Sequence, residues 1–384
     1  MLKRLREAVE ACDTTYGEAS PEYSFIRGQK KRLLFIATLV VLTLFASCVA
    51  VSVGAVDIPL IDTIKVLLNS IVDVFGEPSE GYYEKVILSL RMPRIVLCIL
   101  TGASLGMAGA VMQGLLRNPL VSPFTLGVST AASFGAAVAI VFGTAIFGAA
   151  YYDTFSFLWL NISMDEMLKT LMAFVFGLIS ISLILLLTRK RKVSRSTVIL
   201  SGVIISYIFQ AGLMFTKYVS DDAQLRDITM WMMGGLSGIS WDIILLILPI
   251  VVICGIYLEK LAIDINMLSS GDDVASNLGI SVEKLRNRGL VLSTLMTTVC
   301  IAFTGTIGFV GLMAPHLCRM IIGNDSRYLF PAAGLMGAFI LLISDIASRL
   351  IMRPSELPIG IIMYIVGGIF FIWLVFGKKL EGRE

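Results

Sequence analysis

Residues 33–54 run for 22 positions without a charged side chain, and comparable apolar segments recur at approximately 95–115, 125–147, 168–187, 197–216, 242–259, 288–307, 309–322, 329–350 and 358–376. Crossing the hydrocarbon core of a bilayer takes about 20 mostly apolar residues. Backbone exposed to lipid must satisfy its own polar groups, which leaves only helices or a closed barrel. Segments of this length restrict the chain to a helical bundle. Composition agrees, since 57% of the 384 residues are AVILMFWYC and 15% are charged, against about 45–50% and 25% in soluble domains. The expected architecture is an all-α polytopic membrane protein of about ten transmembrane helices. A charged tail (1–32) precedes the membrane domain (33–377), which contains a long polar loop (260–287), and a short tail (378–384) follows it.

Orientation follows from the basic residues. With the N-terminus inside, 22 of the 31 Lys and Arg fall in inside segments, including the cluster Arg189, Lys190, Arg191, Lys192 and Arg195. The positive-inside rule then places both termini in the cytoplasm. Tyr151, Tyr152, Phe155, Phe157 and Trp159 fall in an outside loop, as expected of aromatic residues at headgroup level. A signal peptide is the competing reading of the first run, and Phe45-Ala46-Ser47-Cys48 resembles a lipoprotein cleavage box. The run exceeds a typical signal core, however, and many further spans follow it. A net charge of +3 gives no reason to expect nucleic acid as a partner. Cys48, Cys98, Cys254, Cys300 and Cys318 sit singly in apolar runs and Cys12 lies in the polar tail, so they read as small hydrophobes rather than metal ligands or disulfides.

Small residues repeat every four positions at Gly102, Gly106, Ala110 and Gly114, and again at Gly127, Ala131, Gly135 and Ala139. Such stripes let helices approach closely where lipid offers no hydrophobic drive to associate; they would also suit the wall of a wide conduit. Arg91 and Arg94 open the second span at the outer face, where they oppose both the positive-inside bias and the helix dipole. They call for an anionic neighbour, met either by snorkelling to lipid phosphates or by an acidic partner docking from outside. Asp345 and Arg349 are four residues apart in the ninth span, spaced for an ion pair, although an ionisable residue in a span is also a functional candidate. His316 follows Pro315 without a supporting carboxylate or thiol, which reads as structural rather than metal-binding. No phosphate-binding G-x-x-x-x-G-K-[ST] loop, nucleophile elbow or H-E-x-x-H motif is present. The chain is therefore expected to be a transport subunit rather than an enzyme, with no metal or cofactor of its own.

Arg91-Met-Pro-Arg94, Gly102-Ala-Ser-Leu-Gly-Met-Ala-Gly-Ala-Val-Met-Gln-Gly-Leu-Leu-Arg-Asn-Pro-Leu-Val-Ser-Pro123 and Leu126-Gly-Val-Ser129 together resemble the FecCD-like, type II permeases of iron–siderophore, haem and vitamin B12 ABC importers. The likeness continues through Trp231-Met-Met-Gly-Gly-Leu-Ser-Gly238, Ala275-Ser-Asn-Leu-Gly-Ile280, Gly305-Thr-Ile-Gly-Phe-Val-Gly-Leu-Met-Ala-Pro-His316 and Ser355-Glu-Leu-Pro-Ile-Gly360. It implies ten helices per subunit and a homodimer, or a pair with a related permease, around a central conduit. It also implies two cytoplasmic ATPases that carry ATP-Mg, and an extracytoplasmic binding protein. Arg91, Arg94 and Arg349 resemble the outer arginines that receive acidic residues of the binding protein. Asp272, Asp273, Ala275, Leu278 and Gly279 resemble the coupling helices that sit in the ATPase cleft. Gly102, Gly106, Gly114, Gly127 and Gly135 are the conduit or packing positions. The expected location is the cell membrane, and the expected cargo is a bulky chelate, with ferric siderophore first and cobalamin or haem as alternatives. A gradient-driven secondary transporter is the rival; it would need intramembrane carboxylates as relays, for which Asp345 is almost the only candidate. Residues 1–32 and the outer 146–167 loop depart from the family pattern.

Overall fold

The computed structural model describes residues 21–54, 58–70, 80–157, 160–188 and 195–381. Cys12, Trp159 and the basic residues 189–192 lie outside them. Fourteen helices follow in order: α1 (Pro21–Ser52), α2 (Leu60–Asn69), α3 (Tyr82–Leu116), α4 (Val128–Phe147), α5 (Met164–Thr188), α6 (Arg195–Val219), α7 (Asp222–Met233), α8 (Trp241–Lys260), α9 (Ala262–Ser269), α10 (Asp272–Asn277), α11 (Val282–Thr304), α12 (Val310–Ile322), α13 (Ser326–Ile351) and α14 (Ile359–Glu381). Eight of them, α1, α3, α4, α5, α6, α8, α13 and α14, are long and apolar enough to cross a membrane.

The remaining two expected spans differ from the other eight. Helix α11 has 23 residues but begins with Glu283, Lys284, Arg286 and Arg288, so its first turns are polar. Helix α12 has 13 residues, about 20 Å of helix at 1.5 Å per residue, which is short of a bilayer core. The break between them is built on Gly305, at φ 67°, and Phe309, at φ 66°. A side chain on Gly305 would strike the carbonyl of Trp231. The Thr306 hydroxyl donates to Met232 O at 2.6 Å and Gly235 N to Thr304 O at 2.8 Å. Residues 231–235 and 304–309, far apart in sequence, are thereby locked together, and Gly360 packs on the carbonyl of Met233. Three of the motifs recognised separately in the sequence converge at this point.

Helices α3 and α13 form the centre, with α11 and α12 against α3, and α1 against α13. Helices α4, α5 and α6 make a second group joined to the first through α11. The small-residue stripes explain these contacts. A Cβ on Gly102 would lie 2.5 Å from Gly337 O, one on Gly106 would collide with the carbonyl of Ala333, and one on Gly135 with that of Met172. Gly114 faces Ile265 Cγ2, and Gly127, at φ 77°, faces Ser206 Oγ. All five glycines therefore lie against other helices of the same chain. Large apolar side chains along the outward faces of α1, α6, α8 and α14 are exposed instead, as a lipid-facing surface requires.

Two features were not anticipated in the outer regions. The 146–167 stretch holds a two-stranded hairpin, β1 (Thr154–Phe157) against β2 (Leu160–Ser163), antiparallel with Thr154 opposite Ser163. Tyr151, expected at the interface, is buried and donates its hydroxyl to Ala139 O at 3.1 Å. Helix α7 also falls where a loop was expected. Its signature, Asp221 followed three residues later by Gln224, forms a complete capping box and was readable in the sequence. Of the cysteines, Cys98, Cys254, Cys300 and Cys318 are buried as expected, whereas Cys48 is exposed.

Candidate functional site

The charged residues gather at the two ends of the bundle. At the end expected outside, the difficulty posed by Arg91 and Arg94 at a helix N-terminus is resolved by neighbouring helices. Arg91 donates through Nη1 to Ser52 O at 2.9 Å and also to Val51 O. Arg349 donates through Nη1 to Ala50 O at 2.9 Å and Val53 O at 2.6 Å. These carbonyls belong to the C-terminal end of α1, where peptide groups lack intrahelical partners and the dipole is negative. The two arginines thus close off one helix end and are almost wholly buried.

Arg94 has a different setting. Its guanidinium lies between Asp345, at 2.8 Å, and Glu356 Oε2, at 2.7 Å. Asp345 is fully buried and also holds Arg349 at 2.7 Å, the expected i, i+4 pair. Glu356 is 36% exposed and lies within 3.5 Å of Ser237 Oγ. Arg94 lines a small cleft with Gly234, Gly235, Ser237, Ser348 and Glu356. At this end Arg94 is the predicted arginine bordering an opening, and Glu356 is the more exposed of its two partners. Sequence reading passed over Glu356 although it lies in the recognised Ser355–Gly360 motif, because the salt bridge spans 262 positions.

At the opposite end, the 260–287 loop is mostly helical. The short helix α10 follows Gly271, at φ 137°, and is succeeded by Gly279, at φ 86°, the left-handed residue that commonly ends a helix. Ala275 is fully buried beneath it, whereas Asp273, Ser276, Asn277 and Gly279 are exposed. Leu278 is 61% and Val274 45% exposed, so two apolar side chains face outward among polar ones. Val274 was not singled out from the sequence. It precedes Leu278 by four residues, the helical i, i+4 spacing, and belongs to the same outward face.

Asp272 faces the bundle instead. Its carboxylate receives Arg117 Nη2, Arg286 Nη2 at 3.3 Å and Arg195 Nη2 at 3.4 Å. Partial burial acts upward on its pKa, but the hydrogen bond from Arg117 and the charges of Arg195 and Arg286 hold the carboxyl below its ordinary value. Arg117 caps α3 at φ 46°, ψ 44°, a left-handed conformation that costs a non-glycine residue on the order of 1 kcal/mol. Nearby, Asp325 caps the start of α13, pairs with Arg32 at 3.2 Å and Arg327 at 2.7 Å, and accepts from Asn266 at 2.8 Å. The hydrogen bond from Arg327 is the foremost reason its carboxyl is also held below the ordinary value. Among the described residues no group of three His, Cys, Asp or Glu is arranged to hold a metal ion.

The FecCD transport family model matches residues 42–377. The Fe(3+)-citrate import system permease of Bacillus subtilis is 33% identical over 93% of this chain and 98% of its own length. The hemin transport system permease of Yersinia pestis is 34% identical over 76% of this chain and 83% of its own length, and the vitamin B12 import system permease of Klebsiella pneumoniae is 33% identical over 80% of this chain and 87% of its own length. A solved structure described as an inward-facing metal-chelate type ABC transporter superposes with a TM-score of 0.74 at 28% identity, covering 89% of this chain and 98% of that one. With its membrane bundle, its converging glycine motifs and a match spanning nearly all of the membrane domain, the chain belongs to the FecCD transport family.

Proposed function

We propose that the chain forms the membrane pathway of an ABC importer that carries a bulky metal chelate into the cytoplasm, with ATP hydrolysed on a separate subunit. It works paired with a second copy or a related permease, above two ATPases and below an extracytoplasmic binding protein. The observation that carries this reading is the short helix α10, which projects Val274 and Leu278 from the end expected in the cytoplasm. Exposed apolar side chains beyond the span and among polar ones suit a protein partner rather than lipid.

At the opposite end the cleft at Arg94 suits an acidic side chain of a soluble partner. Arg94 and Glu356 offer the contact, while Arg91 and Arg349 hold the neighbouring helix end in place. Charge complementarity there aids encounter and register. Closure of the ATPases displaces α10, and the bundle converts that displacement into opening at one end and closing at the other, since packed helices shift as units. Family members that carry ferric citrate, haem and vitamin B12 define the cargo class, with a ferric chelate the first candidate.

The gradient-driven rival loses its relay. Asp345 is enclosed and engaged by two guanidinium groups at 2.8 and 2.7 Å, so its carboxylate is committed to structural ion pairs within the bundle. The deciding experiment is uptake of radiolabelled ferric citrate, haem or cobalamin by proteoliposomes containing the assembled importer. Uptake that requires internal or external ATP on the ATPase face and ignores proton and sodium gradients supports the proposal. Uptake by the permease alone, driven by either gradient, overturns it.

A further inference from the structure

We propose that Asp272 is the pin fastening the coupling helix to the membrane bundle, a positioning residue that passes the motion of α10 to three spans at once. This rests on the importer reading above. The three arginines it holds belong to three helices distant in sequence: Arg117 closes α3, Arg195 opens α6 and Arg286 lies in the opening turns of α11. A helix of six residues does not hold its own shape, because nucleation is costly and few backbone bonds repay it. It must be secured from outside. The buried Ala275 supplies one attachment and Asp272 the other, both on the side away from Val274 and Leu278.

Charge makes the pin specific. Three guanidinium groups meet one carboxylate, and among the described residues no other carboxylate pairs with any of the three. Removing the negative charge would leave three cations within reach of one another, so the inner ends of α3, α6 and α11 would separate as well as release α10. Arg286 is 8% exposed and cannot simply swing into water. Asp273, the adjacent acid, is exposed and joins none of these three ion pairs, which makes it the control for the exchange measurement.

Two measurements test the pin. In the purified full-length chain, Asp272→Asn should speed hydrogen exchange over residues 272–280 about tenfold or more, the loss expected for charged hydrogen bonds that hold a locally opening segment. Arg286→Gln removes one of the three pairs and should speed exchange by less, the double variant should add nothing beyond Asp272→Asn, Asp272→Glu should restore protection, and Asp273→Asn should leave exchange unchanged. Unchanged exchange in Asp272→Asn, or additive effects in the double variant, would overturn the pin. In proteoliposomes of the assembled importer, with ferric citrate, haem and cobalamin as probes, Asp272→Asn should raise the ATP hydrolysed per molecule imported several-fold. A wild-type ratio would overturn transmission through Asp272. If the wild-type assembly shows no ATP-driven uptake of any probe, the importer reading falls, while the exchange data still judge the pin.

Discussion

Replacing Gly102 by alanine tests the central packing of α3 against α13. The new Cβ would lie 2.5 Å from Gly337 O and 2.6 Å from Ala338 Cα, both backbone atoms of a helix packed along its length, and ordinary contact begins at 3.4 Å. The helices must separate by about 0.9 Å at this point, and overpacking of that kind costs about 1–3 kcal/mol. Alanine also gains about 1 kcal/mol of helix propensity over glycine, which would mask part of the loss. Gly368→Ala supplies the correction, since it makes the same change within α14 where nothing lies within 4 Å of the added Cβ. Unfolding in mixed detergent micelles, followed by tryptophan fluorescence, should place Gly102→Ala below Gly368→Ala by about 1–3 kcal/mol. Equal stabilities for the two variants would refute the close approach of α3 and α13.

Three other outcomes follow from the charged ends. Glu356→Gln should tighten docking of the proposed binding protein by removing the internal competitor for Arg94, whereas Arg94→Glu should weaken it, more at low salt than at high; surface plasmon resonance at two salt concentrations reads both, and unchanged affinities would exclude the cleft from docking. Asp345→Ala strands Arg94 and Arg349 and should destabilise the chain by about 3–5 kcal/mol, as expected when one partner of a buried pair is removed; the double variant Asp345→Ala, Arg349→Leu should recover part of that loss, and a neutral single variant would contradict the network. Because the folded carboxyl of Asp325 sits below its ordinary value, its stabilising contribution is present above about pH 3.9 and is lost as pH falls through the lower folded value. The stability gap between wild type and Asp325→Asn should therefore persist at pH 5 and close only below about pH 4, and a gap already closed near pH 6 would count against the assignment.

The sequence by itself determined that the chain is a bundle of membrane helices, because apolar run length is dictated by the bilayer and needs no tertiary information. It also placed Gly102 and Gly106 on one face of one span and Ala131 and Gly135 on one face of another, since four-residue spacing repeats with the helix whatever the partner. The capping box of α7 and the outward face formed by Val274 and Leu278 were legible by the same local rules, though they went unread. Only the tertiary structure decided what each charge does. Arg91 and Arg349 close the end of α1, Arg94 shares Asp345 and Glu356, and Asp272 gathers Arg117, Arg195 and Arg286. Hydrophobic pattern repeats with the helix and is written locally, whereas an ion pair depends on which helix ends meet in space, and that is settled only when the whole bundle has packed.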